Sequence, residues 1–349
     1  MKVELGLTSF GDNSDIHTPD GILPKIPDDE RLRNIVEEIK LAEEVGLDIY
    51  GLGEHHRKDF AVSDPVTVLA AAATQTKQIK LSSAVTVLSS DDPVRVYQRF
   101  ATLDALSHGR AEIMAGRGSF IESFPLFGYD LNDYDLLFEE KLDLLMNINK
   151  NEIVNWSGQT RAPINNLGVY PRAVQKEIPI HLATGGTPES SARAGILGLP
   201  ITYAIIGGNP ARFRYNVEIY KAAVREHGHD LSKLVIANHS WGYIADTDEQ
   251  AFKAYYPSMA ASHAVIAKER GWGAYTMENY MTEIEHGSLY VGGPERVAQK
   301  IINTMETLGL TRFMIHLPMG SMPHEQVMHA IKLYGEKVKP IVDGHFENK

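Results

Sequence analysis

The sequence predicts an α/β protein, a (β/α)8 barrel with insertions in its βα loops. Three observations predict it. Strand-like and helix-like runs alternate along the chain. Eight strand-like runs can be counted, each followed by helical sequence. Five helices open on a capping residue followed by proline or on a Gly-Pro pair. Strands that alternate with helices form a parallel sheet, and eight repeats suit a closed barrel better than an open one.

The elements follow in order. Residues 3–9 form a short apolar strand. Residues 31–45 are helical, with Ile35, Ile39, Leu41, Ala42 and Val45 on one stripe and Gly46 as the stop. Strands are expected at 48–53, 79–88 and 110–115, separated by helices at 65–76 and 93–107. The helix at 134–149 carries Leu137, Phe138, Leu142, Leu145 and Met146 on one face, and the Gly-, Pro- and Asn-rich stretch 152–175 reads as a hairpin insertion around Ser157-Gly158. Strands at 178–183, 201–206, 234–245 and 312–317 complete the eight, with helices at 188–197, 210–226, 248–268, 294–308 and from about 324. Residues 269–293, rich in Gly and Tyr, are expected to run as an excursion over one face and to cover the site. Asp64-Pro65, Asp92-Pro93, Thr187-Pro188, Asn209-Pro210 and Gly293-Pro294 mark helix starts, because proline at the first helical position gives up an N–H that has no partner there.

Composition narrows the function. The net charge of -11, from 34 Lys+Arg against 45 Asp+Glu, argues against a nucleic-acid or membrane-surface binder, yet leaves room for one basic pocket. Without cysteine the chain has no disulfide, thiolate ligand or cysteine nucleophile. The start, Met1-Lys2-Val3-Glu4-Leu5-Gly6, does not read as a signal peptide, and no apolar run approaches the roughly 18 residues of a membrane helix. A cytoplasmic enzyme of one domain, residues 1–349, is the expectation, since such a barrel takes about 250 residues before insertions.

In such a barrel the chemistry sits at the carboxyl ends of the strands. The second strand leads into Gly53-Glu54-His55-His56-Arg57, and the third into Ser89-Ser90-Asp91-Asp92. The fourth leads into Gly116-Arg117-Gly118-Ser119, and the fifth into Thr184-Gly185-Gly186-Thr187-Pro188-Glu189-Ser190. The last of these is a ready anion site: two glycines admit a ligand close to the backbone, and a capped helix start offers N–H groups and the positive end of its dipole. Arg117 on the neighbouring rim could add a charged fork to a phosphate. A glycine turn with a well-capped helix would read the same. Neighbouring residues in a strand face opposite ways, so His55 and His56 are not expected to share a metal, and no metal site is expected. One rim histidine can serve as acid, base or hydrogen-bond donor. His181 reads as a core or pocket residue, His316 as facing the interior, and His227 and His229 as solvated. Gly51-x-Gly53 and Gly116-x-Gly118 do not complete a dinucleotide fingerprint.

Several motifs stand in one ordered run: Glu54-His55-His56; Ser82-Ser83-Ala84-Val85-Thr86-Val87-Leu88; Asp92-Pro93-Val94-Arg95; and Leu103-Asp104-Ala105-Leu106-Ser107-His108-Gly109-Arg110. Gly116-Arg117-Gly118, Ala183 to Ser190, Gly198-Leu199-Pro200 and Val291-Gly292-Gly293-Pro294-Glu295 follow. The order and spacing resemble the bacterial luciferase-like flavin monooxygenases over nearly the whole chain. The resemblance implies a TIM-type barrel, a homodimer, and reduced FMN delivered by a separate flavin reductase to oxygenate a small organic substrate. It implies that His55 lies by the flavin and assists catalysis. It places Arg117, Gly118, Gly185, Gly186, Thr187 and Ser190 at the phosphate, and Ser83, Ala84 and Val85 under the ring, with a non-proline cis bond at Ala84–Val85. Where luciferase itself has a reactive cysteine beside that arginine, this chain has Gly116, which puts aldehyde-linked light emission in doubt. Two alternatives stay open: hydride transfer with the deazaflavin F420 on the same fold, and flavin binding without catalysis.

Overall fold

Eight parallel strands close on themselves in the computed structural model, which describes residues 2–18, 21–118, 120–271 and 273–347. They are β1 (Glu4–Ser9), β2 (Ile49–Leu52), β3 (Lys80–Ser83, resuming at Thr86–Val87) and β4 (Ala111–Gly116). The second half holds β5 (Ile180–Thr184), β6 (Ile201–Ala204), β7 (Ile236–Ile244) and β8 (Arg312–His316). Neighbours in the barrel follow chain order, β8 pairs with β1, and β4 pairs with β5 to close the ring. Each predicted strand is present, so the expected (β/α)8 barrel is the fold observed.

The helices pack outside: α1 (Asp28–Glu44), α2 (Pro65–Ala73), α3 (Pro93–Leu106), α4 (Tyr134–Lys150), α5 (Pro188–Leu197), α6 (Arg214–Glu226, after a 3-10 turn at Pro210–Phe213), α7 (Asp248–Arg270), α8 (Met277–Glu285), α9 (Pro294–Leu308) and α10 (His324–Leu333). Four of the predicted caps hold by side chain: Asp64 accepts from Thr67 N, Asp92 from Val94 N, Thr187 from Ser190 N and Asn209 from Ala211 N. The fifth start is held differently, since Gly293 has no side chain and instead donates its N–H to Asp248 (2.7 Å). α1 starts earlier than expected because Asp28, Asp29 and Glu30 fill its first turn, where acidic groups favour the dipole.

Alternation along each strand sends every second side chain inward, and the inward set stacks in three layers. At the floor, the buried Arg312 donates to Glu4 (2.7 Å) and to both oxygens of Glu112 (2.7 and 3.1 Å), with His181 beside it. The middle is apolar: Ile49, Ala84, Met114, Ala237 and Met314. The top is polar again, with Thr8, His239 and His316.

One insertion matches the expectation and two further segments add to it. The 152–175 insertion is a hairpin as read, Ile153–Trp156 against Ile164–Gly168. An unforeseen hairpin, Ile16–Thr18 against Gly21–Leu23, follows β1; three-residue strands carry too few alternations to register in sequence. The 269–293 excursion is more ordered than its composition suggested. Thr276 and Asn279 form a capping box that starts α8, Tyr280 and Ile284 anchor that helix, and Tyr290–Gly292 pairs in parallel with the end of β7.

Candidate active site

A cavity of about 380 Å³ opens at the carboxyl ends of the strands. Of the residues singled out from sequence, His55, Ala84, Val85, Arg117, Gly118 and Gly185 line it. Ser83, Gly186, Thr187 and Ser190 are not among its lining residues. The hydroxyl of Ser83 is turned to β4, donating to Met114 O (3.2 Å) and accepting from Met114 N (3.0 Å). Ser119 lies outside the described residues. The Ala84–Val85 bond is cis and falls between the two pieces of β3; both residues line the cavity.

One end of the cavity gathers hydrogen-bond donors. Arg117 donates to Ser190 Oγ (3.0 Å) and pairs with the exposed Asp135 (2.6 Å). Thr187 Oγ1 donates to the same Ser190 Oγ (2.8 Å), so the guanidinium, two hydroxyls and the start of α5 converge. Gly185 faces open space, where a side chain would meet nothing. Gly186 has another reason to be glycine: φ is +97°, and a Cβ there would come within 2.3 Å of Phe213.

The two rim histidines part in the loop beyond β2, which ends at Leu52. His56 pairs with Glu54 (2.8 Å), and the second oxygen of Glu54 accepts from Val87 N (3.1 Å), tying the end of β2 to β3. His55 sits among the rings of Phe10, Phe60 and Phe120 at 4.5–5.0 Å. Its Nε2 is buried with no hydrogen-bond partner among the described residues. Burial pushes its pKa down to about 3, so the imidazole is neutral near pH 7. A buried, unpartnered polar atom costs about 1–3 kcal/mol, and a ligand atom in the cavity would relieve that cost.

The sequence profile of luciferase-like monooxygenases matches residues 3–312. The chain belongs to that family. The alkanal monooxygenase alpha chain of Aliivibrio fischeri is 25% identical over 295 residues, covering 76% of this chain and 81% of its own length. Monooxygenase RslO1 from Streptomyces bottropensis superposes with a TM-score of 0.83 at 21% identity, over 97% of this chain and 99% of that one. The oxygenating constituent of 3,6-diketocamphane monooxygenase from Pseudomonas putida, a structure with FMN, gives 0.74 at 19%, over 97% and 99%. The F420-dependent tetrahydromethanopterin reductase of Methanopyrus kandleri gives 0.71 at 20%, also over 97% and 99%. The fold is therefore one shared by flavin- and F420-dependent oxidoreductases.

Within this luciferase-like barrel the structure adds residues that sequence reasoning did not single out. Phe10, just beyond β1, lines both the main cavity and an adjoining one of about 220 Å³, and His239 on β7 does the same. A third cavity, of about 320 Å³, shares Ile206 and Arg212 with the first, and Tyr275, Glu283, Ser288 and Leu289 of the 269–293 excursion form part of its wall. The signal for His239 was its inward parity with Ala237 on β7; a lone histidine in an apolar strand gave nothing more. Gly116 is also settled by packing, since a Cβ there would lie 2.8 Å from Val85 Cγ2. His316 faces the interior and His181 is buried at the floor, both as read from sequence. His229 is less free than expected, with Nε2 2.9 Å from Ile196 O.

Proposed function

We propose that this chain is a monooxygenase that takes reduced FMN from a separate flavin reductase and, with O2, oxygenates a small organic substrate. The observation that carries the reading is the convergence of Arg117, Ser190, Thr187 and the start of α5 on an apolar cavity that also holds the neutral, unpartnered His55. This donor set suits a phosphate dianion. The walls supplied by Ala84, Val85, Met114 and Ala183 suit a flat aromatic ring, and the cavity falls in the usual range of about 300–1,000 Å³ for small-ligand sites.

When bound, the reduced flavin supplies the electrons that activate oxygen. The protein's share is positioning. Arg117, with Gly118, Gly185 and Gly186, would hold and admit the phosphate, and Ser190 and Thr187 would orient the guanidinium. Ser83 fixes β3 to β4 through Met114, and Ala84 and Val85 beside it would support the ring. The apolar lining keeps water from the reacting atoms, and His55 Nε2 offers a hydrogen bond to a ligand there. Among the described residues no helix is long and apolar enough to cross a membrane. The proposed enzyme is a cytoplasmic homodimer served by its reductase.

The deciding experiment mixes the purified chain with reduced FMN, reduced F420 or neither, with aldehyde, sulfonate and alkane panels, and follows oxygen uptake and products. Oxygen uptake with an oxygenated product, dependent on reduced FMN, supports the proposal. Substrate reduction with F420 and no oxygen uptake would replace it with hydride transfer. Tight FMN binding without turnover on any substrate would leave a flavin-binding protein.

A further inference from the structure

Four side chains at the top of the barrel form one buried chain of hydrogen bonds. Asp12 Oδ2 lies 3.0 Å from His316 Nε2, His316 Nδ1 lies 3.3 Å from Thr8 Oγ1, and Thr8 Oγ1 lies 3.0 Å from His239 Nδ1. The residues come from β1, the loop after it, and β8 and β7, which are neighbours in the barrel. All four are nearly inaccessible, and Phe10 packs on both rings, stacked on His239 and tilted on His316 at 4.2 Å.

Counting protons fixes the direction of the bonds. Asp12 Oδ2 also accepts from Phe10 N (3.4 Å), so the carboxylate is an acceptor and His316 Nε2 donates to it. With one proton on its ring, His316 presents a bare Nδ1, and the single hydroxyl proton of Thr8 must go there. Thr8 Oγ1 can then only accept from His239, which must carry its proton on Nδ1. The opposite direction needs one more proton on the Asp12–His316 pair, as a His316 cation or an Asp12 carboxyl group, whereas the two N–H bonds accepted at Asp12 Oδ2 favour the ionised carboxylate and the direction given. With Nδ1 spent on Thr8, the edge of His239 left for the two cavities it lines is an Nε2 with a free lone pair.

We propose that Asp12, His316 and Thr8 are positioning residues that hold His239 in the Nδ1–H tautomer, making its Nε2 the proton acceptor of the cavity. A proton taken at Nε2 is balanced along the chain: the Nδ1 proton passes to Thr8, the Thr8 proton to His316 Nδ1, and the His316 Nε2 proton to Asp12. Each ring ends neutral and Asp12 ends as a carboxyl group. His239 thereby complements His55, whose Nε2 has no partner, and Asp12 lines the adjoining cavity, from which the proton can leave. The consequence for turnover rests on the monooxygenase reading; the tautomer does not.

The test therefore begins without flavin. The chain is labelled with 15N-histidine, and long-range 1H–15N correlation spectra are assigned by comparison with His239→Gln. The expected result is His239 protonated at Nδ1 in the unmodified chain, shifting to the Nε2–H form in Thr8→Val and back in Thr8→Ser. With reduced FMN and an accepted substrate, Thr8→Val should lower kcat by about 10²-fold, at the low end for a lost acid–base group, with KM within about twofold and recovery in Thr8→Ser. An Nε2–H tautomer in the unmodified chain overturns the proposal, as does an Nδ1–H tautomer unchanged by Thr8→Val. Should Thr8→Val fail to fold, the tautomer of the unmodified chain decides alone. Loss of the monooxygenase reading with the Nδ1–H tautomer intact would leave the positioning chain standing.

Discussion

Replacing Arg117 by alanine separates a binding residue from a structural one, because the two roles differ in size. On the fold side its contacts are modest. The pair with Asp135 involves a carboxylate side chain that is 71% exposed, and such surface pairs contribute about 0–1 kcal/mol. The bond to Ser190 leaves behind a hydroxyl that Thr187 already serves. Melting should therefore fall by no more than about 2–4 °C, the shift that goes with 1 kcal/mol in a domain of some 150–250 residues. On the binding side a guanidinium hydrogen bond to a phosphate contributes about 1.5–3 kcal/mol, and each 1.4 kcal/mol is tenfold. FMN affinity should drop about tenfold to a hundredfold. Riboflavin lacks the phosphate, so its affinity should hardly move. Titration of FMN and riboflavin into Arg117→Ala, followed by flavin fluorescence or calorimetry, reads both numbers on one preparation. Equal losses for the two ligands would refute the phosphate assignment and make Arg117 a residue of the fold.

Further outcomes follow from the same geometry. His55→Gln, which keeps the size of the side chain among three phenylalanine rings, should lower turnover by about 10²–10⁴-fold while FMN affinity stays near normal; normal turnover per folded molecule would retire His55 from catalysis. Gly186→Ala should cost about 1–3 kcal/mol from its positive φ alone and more from the clash with Phe213; an unchanged melting temperature would contradict the close approach seen there. The third outcome concerns pH. Burial pushes His55 and His239 down to about 3, below their unfolded value near 6.5, so the unfolded chain takes up protons first as pH falls. Their contribution to stability is whole above about pH 6.5 and declines towards pH 3, by up to about 1.4 kcal/mol per pH unit for each. Urea midpoints at pH 7.5, 6.5 and 5.5 should slope downwards, and less steeply in His55→Gln; parallel slopes would remove His55 from the account.

Strand and helix positions were legible because each carries a local signal: apolar runs for the strands, and cap-proline pairs such as Asp92-Pro93 for the helices. The loop of the proposed anion end was legible for the same reason, since Gly185 to Ser190 is contiguous and carries its own helix cap. What the sequence concealed was convergence. Asp12, Thr8, His239 and His316 lie up to 308 positions apart, and only barrel closure between β8 and β1 brings them into one chain. Gly116 and Gly186 look alike as flexible rim residues, yet in the structure each is small because a neighbour, Val85 or Phe213, occupies the space of its side chain. Within the excursion at 269–293, glycine and tyrosine content hid a capping box at Thr276 and two anchors, Tyr280 and Ile284.

The layering of the barrel explains why a site of this kind can tolerate unsatisfied atoms. At the floor, Arg312 is bound by two carboxylates, and burial, which would raise the pKa of Glu112, is overridden by the Arg312 charge and by hydrogen bonds, so Glu112 stays ionised well below the usual carboxylate range. Removing one partner of such a buried pair typically costs about 3–5 kcal/mol, so this end resists change. Above it, Ile49, Met114 and Met314 separate the floor from the rim with an apolar layer. A polar atom left without a partner at the rim, such as His55 Nε2, therefore cannot be served by the floor network and must find its partner in the cavity. The same separation predicts that substitutions at Arg117, His55 or Thr8 will act on ligand and proton placement, and substitutions at Glu112 or Arg312 on the barrel itself; a melting temperature lowered more by Thr8→Val than by Glu112→Gln would contradict it.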